Sequence, residues 1–168
     1  MKNLPNPEIE VAALFEHCRT LTLATMDTHG IPQSSPAPFV RDEENRFYVL
    51  VSALAPHTAH LAALKPTGVL LIEDEHDALD VFARKRMSYV CAVAELLRDT
   101  SEWRNRLDRL NDRFGAIVAT LAALPDFRMF RLAPLSGRLV IGFGRAYRVK
   151  DGVFTPIGPA EEAEDSKS

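Results

Sequence analysis

The feature that most constrains this chain is the order in which its hydrophobic patterns change period. Three β-branched or aromatic runs, 21–25, 31–40 and 46–51, follow one another with only polar turns between them. Neighbouring parallel strands need a crossover of a dozen or more residues, so these three read as an antiparallel meander. Prolines 32, 36 and 38 interrupt ladder donation and predict an irregular second strand. Pro56 then opens a helical stretch, 57–64, and the apolar run 68–72 reads as a buried strand that brings the chain back. After an acidic stretch at 73–80, segment 87–97 is β-branched and is expected to be the longest strand of the meander. Thr100 or Ser101 can cap a helix carrying Trp103, Leu107 and Leu110, and a second helical segment, 114–124, stops at Pro125. Two alternating segments, 127–132 and 138–149, close the pattern. Ahead of it all, Ile9, Val11, Ala12, Leu14, Phe15 and Cys18 share one face of a helix over 7–19, opened by Pro7. This is not strand–helix alternation. The fold class it predicts is mainly β with helical caps, an α+β antiparallel barrel whose open end the helices cover.

The chain has 168 residues, and at that length a compact chain buries roughly 70% of its unfolded surface without a covalent staple. We expect one domain over 1–150 and a disordered tail over 151–168, where Pro, Glu and Ser accumulate. Cys18 and Cys91 form no CxxC and read as small apolar residues of a reducing compartment. A formal charge of −3 argues against nucleic acid as the main partner. No apolar run reaches the roughly 18 residues of a membrane span, and MKNLPNPEIEV is not a signal peptide, so the expected setting is cytoplasmic.

Few motifs carry chemistry. The turn Ser52-Ala53-Leu54-Ala55-Pro56-His57-Thr58 puts a hydroxyl before a helix start and another in its first turn, a corner that suits a phosphate or an ordinary capped helix. Arg84-Lys85-Arg86 is the densest basic cluster, and strand alternation would place Arg84 and Arg86 on one face. Paired guanidinium groups there suit a phosphate or carboxylate, while the plainer reading is charge balance against 73–80. His57 and His60 stand three apart on one helical face, a spacing that can begin a metal site, but no further ligands are readable and no metal is expected. Gly142-Phe143-Gly144 lacks the third glycine of a dinucleotide fingerprint and reads as a bulge or close approach inside a strand. No Gly-x-Ser-x-Gly, P-loop or HExxH occurs, and no catalytic constellation is readable.

Several stretches together resemble the FMN-binding split barrels of the pyridoxamine 5'-phosphate oxidase type, and within them the haem-utilisation branch. They are Leu23-Ala24-Thr25-Met26-Asp27 with Gly30 and Pro32, Ser35-Pro36-Ala37-Pro38-Phe39-Val40, Leu50-Val51-Ser52 with Leu54 and His57-Thr58, Ile72-Glu73-Asp74-Glu75, Phe82-Ala83-Arg84-Lys85-Arg86, and Gly142-Phe143-Gly144. The resemblance implies a six-stranded split barrel, a homodimer with two cofactor sites at the subunit interface, and cofactor contacts from Ser35, Ser52, His57, Thr58, Arg84, Lys85 and Arg86. In the oxidases an Arg–Lys pair stands where this chain has His57 and Thr58. The haem branch implies an axial histidine near the C-terminus, whereas this chain has none after His76 and offers Tyr147 as a stand-in. It also implies that His57 approaches Asp126 of the partner subunit. The expected function is an FMN-binding flavoprotein, a flavin-dependent oxidoreductase. The alternatives are a haem-binding or haem-degrading protein and a non-catalytic cofactor-binding module.

Overall fold

The computed structural model describes residues 6–158. The elements run α1 (Pro7–His17), β1 (Thr20–Met26), β2 (Pro32–Arg41), β3 (Phe47–Ser52), α2 (Pro56–Ala62), β4 (Thr67–Ile72), a 3-10 turn (Val81–Ala83), β5 (Arg86–Leu96), α3 (Ser101–Phe114), α4 (Ile117–Ala123), β6 (Phe127–Val140), β7 (Ala146–Lys150) and β8 (Val153–Ile157). The strand order is β3-β2-β1-β4-β5-β6-β7-β8, and an added β3–β6 pairing closes β1 to β6 into a six-stranded antiparallel barrel. The predicted fold class is the observed one. No helix among the described residues is long and apolar enough to cross a membrane.

Local chemistry sets the boundaries. Asn6 caps α1, its side chain accepting from the Glu8 amide at 2.9 Å, and Pro7 follows where its missing N–H costs nothing. Thr100 caps α3 through the Trp103 amide at 3.2 Å. β2 is unbroken despite its prolines, contrary to the irregular strand expected. Pro32, Pro36 and Pro38 share one parity, opposite Met26, Thr22 and Thr20. Their missing donors therefore fall on the strand's other side, where β3 pairs only from Phe39 onward.

Three further expectations need correction. β6, with 14 residues, is longer than β5, with 11, and runs through the gap expected between 127–132 and 138–149. It does so by changing partners: its first half pairs with β3 from Phe127 to Leu132, its second with β7 from Gly137 to Val140. Gly142 and Gly144, with φ of 140° and 65°, lie in the β6–β7 turn rather than inside a strand. Of the tail expected over 151–168, Val153–Ile157 forms β8 against β7, and 159–168 lie outside the described residues.

The chain groups into two units, one of Thr20–Val69 and Val90–Pro134, the other of 6–19, Leu70–Tyr89 and 135–158. In the first, Val40, Tyr48, Leu96, Trp103, Leu110, Val118 and Met129 form a core that seats α3 and α4 on the strands. At its margin lies a buried carboxylate in the β2–β3 turn. Asp42, 3% exposed, accepts from Arg46 Nε at 2.7 Å, the Tyr48 hydroxyl at 2.8 Å and the Arg46 amide at 2.9 Å. The Arg106 guanidinium stands 3.5 Å from the same carboxylate and 4.5 Å over the Tyr48 ring. In the second unit, Gly137 permits a close approach: a Cβ there would sit 2.6 Å from Met87 Cε and 2.9 Å from the Ser88 carbonyl.

Candidate functional site

In the first unit α2 presses Leu61, fully buried, inward and carries His57 and His60 on one face. Ser35 stands opposite Leu23 in the β1–β2 ladder, and Thr25 lies two residues along from Leu23, so both hydroxyls project from the same sheet face. Helix and sheet meet through these four side chains. Ser35 Oγ lies 2.8 Å from His57 Nδ1, and Thr25 Oγ1 lies 3.0 Å from His60 Nδ1. Burial, joined by the nearby His60 charge, lowers the His57 pKa from its ordinary 6.5. His57 is therefore neutral at pH 7, with Nδ1 held by a hydroxyl and Nε2 on the far side of the ring.

A base whose folded-state pKa is depressed is protonated more readily in the unfolded chain. Its contribution to stability is complete above about pH 6.5 and declines as the pH falls through the lower, folded value. We expect the melting temperature to drop on acidification below pH 6.5, and His57→Gln to flatten that limb of the profile.

The Ser52–Thr58 corner is closed on itself. Ser52 Oγ donates to Asp126 Oδ2 at 2.6 Å and accepts from the Leu54 amide at 3.1 Å. Thr58, 1% exposed, donates its hydroxyl to the Ser52 carbonyl at 2.6 Å, and the Ala53 amide donates to the Asp126 carbonyl at 2.8 Å. α2 has only seven residues and its cap, Ala55, brings no side-chain acceptor. Of the two hydroxyls expected to face an anion, that of Ser52 faces a carboxylate and that of Thr58 a backbone carbonyl. Within the protomer Asp126 is the partner of Ser52.

The basic segment belongs to the second unit. β5 begins at Arg86, so Arg84 lies outside the strand and the expected shared face of Arg84 and Arg86 is not formed by strand alternation. Arg84 Nε donates to the Glu73 carbonyl at 2.9 Å and Nη1 to Glu75 at 3.0 Å. Lys85 pairs with Glu10 at 2.7 Å, and its amide donates to Glu73 Oε2 at 3.1 Å. Arg86 Nη1 donates to the Arg84 carbonyl at 3.0 Å. These cations are balanced largely by acids of their own unit. Tyr147 is half-buried on β7, opposite Leu139 and Pro156.

Thus Ser35, Ser52, His57 and Thr58 are gathered around α2, and Arg84, Lys85 and Arg86 are engaged in the other unit. One participant, Thr25, is not singled out by the sequence, and Asp126 is expected only as a contact of His57 across the subunit interface. Thr25 looked like a strand residue, although its place two positions from the partner of Ser35 follows once the hairpin register is known. Asp126 lies 74 residues from Ser52, and nothing local announces the pairing.

An antiparallel split barrel with hydroxyl-anchored imidazoles beside a strand-to-helix corner defines the class. The chain belongs to the pyridoxamine 5'-phosphate oxidase family, whose model matches residues 7–141, and to its haem-utilisation branch. It is 39% identical over 142 residues, 84% of this chain and 80% of the relative, to the heme oxygenase HutZ of Vibrio cholerae serotype O1. A crystal structure of HutZ from Vibrio cholerae, described as a heme storage protein, superposes with a TM-score of 0.73 at 36% identity, covering 77% of this chain and 91% of that one. The crystal structure of Campylobacter jejuni ChuZ gives a TM-score of 0.84 at 26% identity, covering 95% of this chain and 65% of that one.

Proposed function

We propose that this protein binds haem, as a haem-binding or haem-degrading member of the haem-utilisation branch, in preference to the flavin-dependent oxidoreductase read first from its sequence. The observation that carries this reading is the closed corner. An FMN phosphate calls for uncommitted donors, yet Ser52 donates to Asp126 and Thr58 to the Ser52 carbonyl. A carboxylate at that position repels a phosphate as well. Arg84 and Lys85 are spent on Glu73, Glu75 and Glu10. Haem asks for different things: an iron ligand from His, Cys, Met or Tyr, and apolar surface for the porphyrin. Half-buried imidazoles with anchored Nδ1 atoms meet the first demand, and the likeness to a heme oxygenase supports the same reading.

When bound, haem supplies a redox-active iron able to engage dioxygen. The chain's part is to orient a neutral imidazole, through Ser35 on His57, and to keep the corner beside it rigid, through Ser52 and Asp126. We further propose a cytoplasmic homodimer with its sites at the subunit interface, as the family resemblance implies.

The test is a pair of absorption titrations of the purified protein, with hemin and with FMN. The expected result is a saturable Soret band with a Kd at least tenfold below that for FMN. Tighter FMN binding, with flavin bands retained through purification, would return the protein to the flavoproteins.

A further inference from the structure

We propose that the outer face of the sheet formed by β5 to β8 in the second unit is a cationic docking surface, and that its occupant is the chain's own acidic segment 161–165, folded back over Arg138 and Arg148. The inference is independent of the haem-binding reading above.

The strand register fixes which side chains share this face. Arg138 of β6 stands directly opposite Arg148 of β7, and Thr155 of β8 stands opposite Arg148 on the other side. The residues flanking them point inward: Leu139 and Val149 are buried, and a Cβ on Gly137 would meet the side chains of Met87 and Tyr89. Alternation therefore turns Arg138, Arg148 and Lys150 outward, and all three are exposed. Arg86 and Ser88 of β5 share that parity, and the Ser88 hydroxyl donates to the Arg138 carbonyl at 3.3 Å. Every other described residue of the face on β6, β7 and β8 within the unit is uncharged. Like charges set directly opposite across two strands disfavour the sheet, so an anion laid over the Arg138–Arg148 pair is worth more than one at an isolated surface arginine.

The occupant is named by where the chain goes next. β8 ends at Ile157, paired with Ala146, two residues from Arg148 along β7. Gly158-Pro159 follows, a dipeptide that marks turns, and Glu161-Glu162-Ala163-Glu164-Asp165 then puts four acids in five positions. The comparably acidic run at 73–77 is committed elsewhere: Glu75 pairs with Arg84, Glu73 accepts from the Lys85 amide, and Asp74 accepts from the His76 amide. Reach is ample. From Ile157, Arg148 lies one strand over and two residues along, roughly 8 Å, and Arg138 one strand further, roughly 12 Å. The four residues to Glu161 span up to about 14 Å when extended, and the eight to Asp165 up to about 28 Å. So short a tether holds the acids at a millimolar effective concentration, and ion pairs that are weak singly and screened by salt then act together. The face is closed to other anions until the segment is displaced.

Two measurements on the full chain test this. A carbodiimide joins a carboxylate to an amine at contact, forming an amide while the carbodiimide takes up the water as its urea. It should link Lys150 to an acid of 161–165, and peptide mapping of mixed light and 15N-labelled protein should place the link within one chain. The second measurement is release of the C-terminal peptide by a glutamate-specific protease. At about 20 mM salt release should be roughly fivefold faster or more in Arg138→Gln/Arg148→Gln than in wild type, and the difference should vanish near 1 M salt, where the Debye length is about 3 Å. Arg138→Lys/Arg148→Lys keeps both charges and should keep the protection, with native melting checked by circular dichroism for each variant. Equal release from wild type and the double glutamine variant at low salt overturns the proposal, and so does the absence of any link from Lys150 to 161–165. Links found only between light and heavy chains assign the face to a second copy and overturn it as well.

Discussion

Asp42→Ala should destabilise the fold by about 3 kcal/mol or more, because removing one partner of a buried ion pair strands the others without compensation. For a chain of this size that corresponds to a melting temperature lower by roughly 6–12 °C. The carboxylate's side chain is fully buried and takes hydrogen bonds from Arg46, Tyr48 and two amides, with Arg106 beside it. Arg106 Nε already lacks a partner, so losing Asp42 would leave that guanidinium poorly satisfied inside the protein. Burial alone would raise the Asp42 pKa, but the hydrogen bonds from Arg46 and Tyr48 outweigh it and hold the carboxyl below its ordinary 3.8. The stabilisation is therefore complete above about pH 4 and disappears as the pH falls through the depressed folded value. A thermal melt series from pH 7 to pH 2 should show an acid limb that Asp42→Asn removes. A melting temperature unchanged by Asp42→Ala would show that the network contributes nothing net.

Leu61→Ala should cost about 2–5 kcal/mol, the range for emptying a well-packed apolar site, and its second effect is functional. Leu61 is fully buried and is the apolar residue through which α2 packs inward; His60 adjoins it and His57 lies one turn earlier. Loosening the helix relaxes the hydroxyl–imidazole pairs at 2.8 and 3.0 Å, so hemin affinity should fall together with the melting temperature. Leu61→Met conserves volume and should cost under about 1.5 kcal/mol, leaving affinity near wild type. Hemin binding retained at full affinity in a destabilised Leu61→Ala would separate the imidazoles from the packing of their helix.

Much of the barrel is legible because its early strands are local. The meander, the single helical excursion at Pro56 and the cap at Thr100 all follow from patterns a few residues long. The misreadings share one cause. β6 looks like two strands because Pro134 and Gly137 interrupt its pattern, yet those residues fall where it exchanges β3 for β7 as its neighbour. A partner exchange has no local signature. The site behaves likewise. The spacing of His57 and His60 is visible on any helical wheel, but the hydroxyls that anchor them come from the β1–β2 ladder. For Arg84-Lys85-Arg86 the plainer sequence reading, charge balance against 73–80, is the one that matches Arg84 turning back to Glu73 and Glu75, whereas the reach of Lys85 to Glu10 has no local signature. Asp42 and Arg46 are spaced as turn residues often are, and only the fold reveals that the turn is tucked inward.

The β3–β6 seam has a consequence for how the protein comes into being. It joins residues 74 apart at the Ser52–Asp126 bond, and closing a loop of that length carries an entropic cost of roughly 4 kcal/mol before any contact rewards it. During synthesis the helix bearing the two imidazoles emerges long before the strand that completes the corner below it. A nascent chain released ahead of Leu132 would display the histidines on an open meander with no enclosure around them. A ligand bound beside that closed corner would then act as a quality seal, favouring the molecules whose seam has zipped shut over those still unfastened.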